Sequence, residues 1–241
     1  MCWSAKASLS SFIIGWVACI ILIIRNKPMD RLYGLFFMFV LSMQFFEFLI
    51  WVDQPEKGSQ DCKTSKYKGK LNNIVSQVSA IQNLLQPFIG GILVLVFLKN
   101  KLLIPSSVVL ILLCIYFISL VIWIFTSKLY KKTLCTIPYC GNCKSSPKKN
   151  QHHLQWQWIQ PSFGGKWIWV MYFIYLIIFI VMLSKTWGGL GLGIFLAISA
   201  GLSFIIYPFK KAAGSWWCVM ATAGPVIKLL IPSAGLCNNV Y

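Results

Sequence analysis

Acidic residues are scarce in this chain. Five carboxylates stand against 22 lysines and arginines among 241 residues, and all five (Asp30, Glu47, Asp53, Glu56 and Asp61) lie in the first quarter. Charged residues of both signs make up 11%, well below the roughly one quarter usual in soluble domains. Histidine occurs twice, as the neighbours His152 and His153, and arginine twice, as Arg25 and Arg31. These absences exclude most chemistry. There is no Ser-His-Asp set, no paired carboxylates and no phosphate loop, and acid–base work would fall on Glu47, His152, His153 or a perturbed lysine or cysteine. The expectation is a protein without enzymatic activity. A net charge of +17 invites a nucleic-acid reading. The scarcity of arginine, the usual reader of phosphates and bases, argues against it.

What the chain has in excess is apolar surface. Hydrophobic residues make up 58%, more than a soluble fold of this size could hide, because surface grows too fast relative to volume. Seven apolar segments stand out, near 8–24, 32–52, 71–98, 103–126, 167–184, 188–208 and 214–232. About 20 apolar residues span the hydrocarbon core as a helix. In lipid each segment satisfies its own backbone groups, and none shows the alternation of a barrel strand. The predicted fold is therefore all-α: one polytopic transmembrane bundle of seven spans over 1–241. The basic residues cluster at segment ends, where they anchor helices and can meet anionic lipid headgroups. The first segment is followed by Arg25-Asn26-Lys27-Pro28 rather than a cleavage site, so it reads as a retained helix. Cys at position 2 excludes myristoylation.

The connections after the second and fourth spans, 53–70 and 127–166, are long, lysine-rich and cysteine-containing. Seven spans place them on one face with the N-terminus and the start of the last span. That face gathers Cys2, Cys62, Cys135, Cys140, Cys143 and Cys218, which suggests disulfides in an oxidising compartment. The N-terminus is then extracellular or luminal and the C-terminus cytosolic. Raw lysine counts favour the reverse. Dense basic residues in the short connections (Arg25, Lys27, Arg31, Lys99, Lys101, Lys185) favour the cysteine reading.

Five places stand out. Cys135-x4-Cys140-x2-Cys143 with His152 and His153 has the ligand types of a zinc site, the alternative being a disulfide-bonded loop. Glu47 is the one acid inside a predicted span, with Gln44 on the same helix face. It could carry a proton, coordinate a cation, hold a lysine, or serve as hydrogen-bonded glue between helices. In the third span Asn72, Ser76, Ser79, Asn83, Gln86 and Gly90 form one face, widened by Asn73, Gln77 and Gln82. Such a stripe cannot face lipid. It lines a path or pocket, or packs against other helices. Pro87 with Gly90-Gly91 adds a kink, a device common at transport sites. Gly189, Gly193, Ala197 and Gly201 form a close-packing face in the sixth span. Last, Lys228 in the seventh span, after Gly224-Pro225, raises a retinal Schiff base as a remote reading, with Glu47 the only intramembrane counter-ion. Its late position and sequence context argue against that.

The opening Met1-Cys2-Trp3-Ser4, the block from Arg25 to Trp51, His153–Trp158 and Gly214–Cys218 together resemble a family of uncharacterised multi-pass membrane proteins of algae, other microbial eukaryotes and large DNA viruses. The resemblance implies the multi-pass architecture and no mechanism. Two roles compete within it: a channel or transporter using Glu47 and the third-span stripe, and a structural or interaction protein of a viral or organellar membrane with 127–166 as its contact surface. Shared sidedness also raises a Cys2–Cys218 disulfide.

Overall fold

The computed structural model describes residues 4–54, 70–99, 102, 104–128, 134, 136–140, 151–155, 167–183, 191, 193–195, 198 and 213–230. For 137–140, 151–153, 155, 169, 179–183 and 213–220 it describes the backbone alone. Six helices and one small sheet appear among these residues. In chain order they are α1 (Ala5–Ile24), α2 (Pro28–Val52), α3 (Leu71–Leu98), α4 (Ser106–Ser127), β1 (Ile137–Cys140), β2 (Gln151–Gln155), α5 (Trp167–Leu183) and α6 (Ala213–Leu230). Four of them, α1 to α4, are long and apolar enough to cross a membrane. At 1.5 Å per residue each measures about 30 Å or more, the thickness of a hydrocarbon core.

Local chemistry sets the helix limits. Ser4 caps α1, its hydroxyl accepting the Ala7 N–H at 3.2 Å, so the helix begins earlier than its apolar run. Asn26 takes the left-handed conformation (φ 59°) that asparagine tolerates, and reverses the chain between α1 and α2. Pro28 then opens α2, four residues ahead of the predicted start; its fixed φ suits the first helical position and its missing N–H costs nothing there.

Apolar side chains cover the outside as well as the core. Ile13, Ile14, Val17, Ile20 and Ile24 of α1 and Leu110, Ile111, Ile118, Ile122 and Phe125 of α4 face outward. Asp30, Gln44, Glu47, Asn72 and Ser79 are buried. Lipid is the solvent that fits this arrangement.

Successive helices are antiparallel. Gly15 of α1 packs on Leu41 of α2, while Gly34 of α2 packs on Cys19 and Ile23. The α2–α3 pair is fixed at one end by Asp53 with Asn72 and further in by Phe39 and Ser42 with Gln82. Leu113 of α4 covers Gly91 of α3, and Phe117 stacks on Phe88. The last helix, α6, runs against α2: Gly224 lies on Phe37, and Lys228 reaches Asp30. Helix α2 is thus central, in contact with α1, α3 and α6, while α5 packs on α3 and α4. One end of the bundle holds Ser4, the end of α2, the start of α3 and the end of α4. The other holds the α1–α2 turn and the ends of α3 and α6.

The bundle is helical, as expected; the segment expected as a loop at 127–166 adds to it an antiparallel hairpin. Ile137 pairs with Gln155, Pro138 with Leu154 and Tyr139 with His153, with an irregularity before Cys140 and Gln151. The sixth predicted span, 188–208, is described only at Gly191, Gly193–Phe195 and Ile198, all helical.

Candidate functional site

Phe36, Val40, Gln44 and Glu47 recur at spacings of four, four and three along α2, so they share one stripe of that helix. All four are at most 5% exposed. The stripe differs from the one against α1 (Gly34, Leu41, Phe45) and from the edge against α3 (Phe39, Ser42). Glu47 lies about 8 Å from the C-terminal end of α2, inside the span rather than at its rim. Beside it, both amide atoms of Gln44 have no hydrogen-bond partner among the described residues.

Most of the α3 stripe is engaged with protein. Asn72 works in both directions. Its Oδ1 accepts the Thr136 N–H at 2.9 Å, and its Nδ2 donates to the Thr136 carbonyl at 3.0 Å. The Asn72 N–H donates to the Asp53 carboxylate at 2.8 Å. Asn73 donates to the Leu134 carbonyl at 2.9 Å, and the Ser76 and Thr136 hydroxyls lie 2.7 Å apart. The first turns of α3 therefore grip the strand leading into the hairpin, where Leu134, Thr136 and Leu154 are all buried. Higher up, Ser79 bonds within its own helix, and Gln82 donates to the Phe39 carbonyl and to Ser42 on α2. Gln86 donates to Asn83 and accepts from the Tyr172 hydroxyl of α5 at 3.0 Å. Tyr116 of α4 donates to the Leu84 carbonyl at 2.6 Å. The stripe thus combines bonds within α3, interhelical bonds at Gln82 and Gln86 and a docking strip at Asn72, Asn73 and Ser76, which is the packing alternative its composition left open.

A third cluster, absent from the sequence-based candidates, lies at the opposite end of α2. Asp30, in the first turn of α2, is fully buried. Arg25 Nε lies 3.5 Å from one carboxylate oxygen and Lys228 Nζ 3.8 Å from the other. The Lys228 ammonium also sits 5.5 Å from the centre of the Tyr33 ring, within cation–π range. Antiparallel packing of α2 and α6 brings the last turn of one against the first turn of the other. The remote retinal reading needed Glu47 as the counter-ion of Lys228; the structure pairs Lys228 with Asp30 instead, and Glu47 lies about 25 Å further along α2. The available signal was that Asp30 is the one acid near the short connections.

The remaining candidates are only partly placed. Cys140 lies in β1 opposite Gln151, and His152 and His153 lie in β2. Cys218 falls in α6, and Gly193 is helical and buried. Cys2, Cys62, Cys135, Cys143, Gly189, Ala197 and Gly201 lie outside the described residues, so neither the zinc nor the disulfide reading, Cys2–Cys218 included, meets a geometry here. Among the described residues no three histidine, cysteine or acidic side chains gather as a metal site, and Cys19 and Cys114 are free thiols.

No family model, curated protein or solved structure matches the chain.

Proposed function

We propose that this chain is a seven-span, non-catalytic membrane protein whose contact surface is the hairpin segment 127–166. The reciprocal Asn72–Thr136 bonds carry the proposal. Polar groups that could have lined a path instead hold the hairpin's lead-in strand rigidly on the bundle, as a presented surface requires. Parity supports the count of seven. Helix α4 ends at the Ser4 end, and α6, antiparallel to α2, begins there, so the chain between them crosses an even number of times. Helix α5, with 17 apolar residues and a length of about 25 Å, supplies one crossing, and 188–208 supplies the return. A topology reporter at Lys185 is then expected on the same side as the α1–α2 turn; the opposite side would leave α5 uncrossed.

Asn72→Leu tests the surface. It leaves the Thr136 N–H buried without its partner, at about 1–3 kcal/mol, and the Thr136 carbonyl with only the long 3.5 Å bond from the Gln54 amide. A photo-cross-linker placed within 141–150 is expected to give a discrete adduct in native membranes for the parent protein. In Asn72→Leu that adduct is lost while insertion persists. Adducts arising only from probes at the other end would overturn the proposal.

One observation favours a second reading, a path for a small polar solute or ion: the buried Gln44 amide, without hydrogen bonds among the described residues, on the same stripe as Glu47. Flux in liposomes that falls in Glu47→Gln would support it, and flux unchanged by that substitution would remove it.

A further inference from the structure

Among the described residues, five cations gather at the end of the bundle away from the hairpin: Arg25, Lys27, Arg31, Lys99 and Lys228. Asp30 is the one carboxylate among the described residues there. Its single negative charge faces two cations at once, 3.5 and 3.8 Å away, so the Arg25–Asp30–Lys228 cluster keeps a net positive charge. Lys27, Arg31 and Lys99 are exposed and are not part of that cluster. All six residues lie within about one turn of a helix end, which is headgroup depth for helices that span the hydrocarbon core.

Exposed aliphatic side chains surround the cations. Ile21 and Ile24 precede Arg25, Leu35 follows Arg31 by one turn, and Ile227 and Leu230 flank Lys228; Ile24 and Leu230 are 74% and 76% exposed. A soluble anion would gain nothing from that collar. A phospholipid fits both parts, with acyl chains against the aliphatics and its phosphate against the excess charge. We propose that this end of the bundle is a docking surface for the phosphate headgroups of anionic lipids. It is independent of the hairpin surface, which lies at the opposite end.

The full-length protein reconstituted in phosphatidylcholine containing spin-labelled phosphatidylglycerol or spin-labelled phosphatidylcholine provides the test. The parent is expected to favour phosphatidylglycerol, and added salt to weaken the preference. Lys27→Gln with Arg31→Gln removes two exposed cations and leaves the buried cluster intact. The preference should fall by up to about fivefold for each cation removed. The charge-conserving pair Lys27→Arg with Arg31→Lys should retain it, as should Lys6→Gln at the hairpin end. Equal association of the two lipids with the parent, or an equal loss in Lys6→Gln, would overturn the proposal. So would displacement of phosphatidylglycerol by inorganic phosphate alone, which would assign the cations to a soluble anion.

Discussion

Asp30→Asn is expected to destabilise the bundle by about 3–5 kcal/mol, the range for removing one partner of a buried ion pair. The substitution preserves size and removes only the charge. It leaves Arg25 and Lys228 close together without their shared anion. Arg25 has an escape, since its side chain is 27% exposed and sits in the turn. Lys228 is 12% exposed, and α6 packs its stem against α2. Most of the penalty therefore falls on Lys228. It follows that Lys228→Met placed on Asp30→Asn should restore at least half of the lost stability. Lys228→Met alone should cost less, because Asp30 keeps Arg25. Thermal unfolding of the four proteins in one detergent measures all three terms. If the double variant is no more stable than Asp30→Asn, the loss does not arise from a stranded lysine, and the account of the cluster fails.

The same cluster marks where sequence reading stopped. The first four spans were legible as long apolar helices. Runs such as Ser106–Ser127 have no other stable state than a helix in lipid, and the predicted 71–98 coincides with α3. The third-span stripe was legible as buried, because asparagine, glutamine and serine at helical spacing cannot face acyl chains. Its partners were not. Thr136 and Leu134 lie more than 60 residues from Asn72 and Asn73 in the chain, and nothing local announces the pairing. Asp30 was hidden in plain view between Lys27 and Arg31, in a block that reads as ordinary interfacial anchoring. Only the return of α6 turns it into a buried carboxylate. The hairpin was illegible for a different reason. Ile-Pro-Tyr-Cys and Gln-His-His-Leu-Gln are short, and neither alternates apolar with polar residues over a useful length. What places them on the bundle is the α3 grip on Leu134 and Thr136, a tertiary effect.

Close approach of α1 and α2 yields the second large effect. Gly34→Ala is expected to destabilise the protein by about 1–3 kcal/mol, the usual cost of overpacking. A Cβ at Gly34 would stand 2.8 Å from the backbone carbonyl oxygen of Cys19 and 2.7 Å from Ile23 Cγ1. Backbone cannot step aside, so the two helices would have to separate where Cys19, Leu22 and Leu32 are fully buried. Gly15→Ala makes the control. A Cβ there meets the methyl ends of Leu41, which another rotamer can withdraw. Alanine also gains up to about 1 kcal/mol of helix propensity over glycine at either position. That gain can offset a yielding contact but not a clash with backbone. Gly15→Ala should therefore lie near the parent in thermal stability, with Gly34→Ala clearly below both. The order matters more than either magnitude. If the two variants are equally affected, the backbone at Cys19 yields as readily as the Leu41 side chain, and the α1–α2 contact at Gly34 is not a rigid one. The turn at Asn26, which delivers Arg25 to Asp30, would then lose its rigid base, and the charge cluster would be held from the α6 side alone.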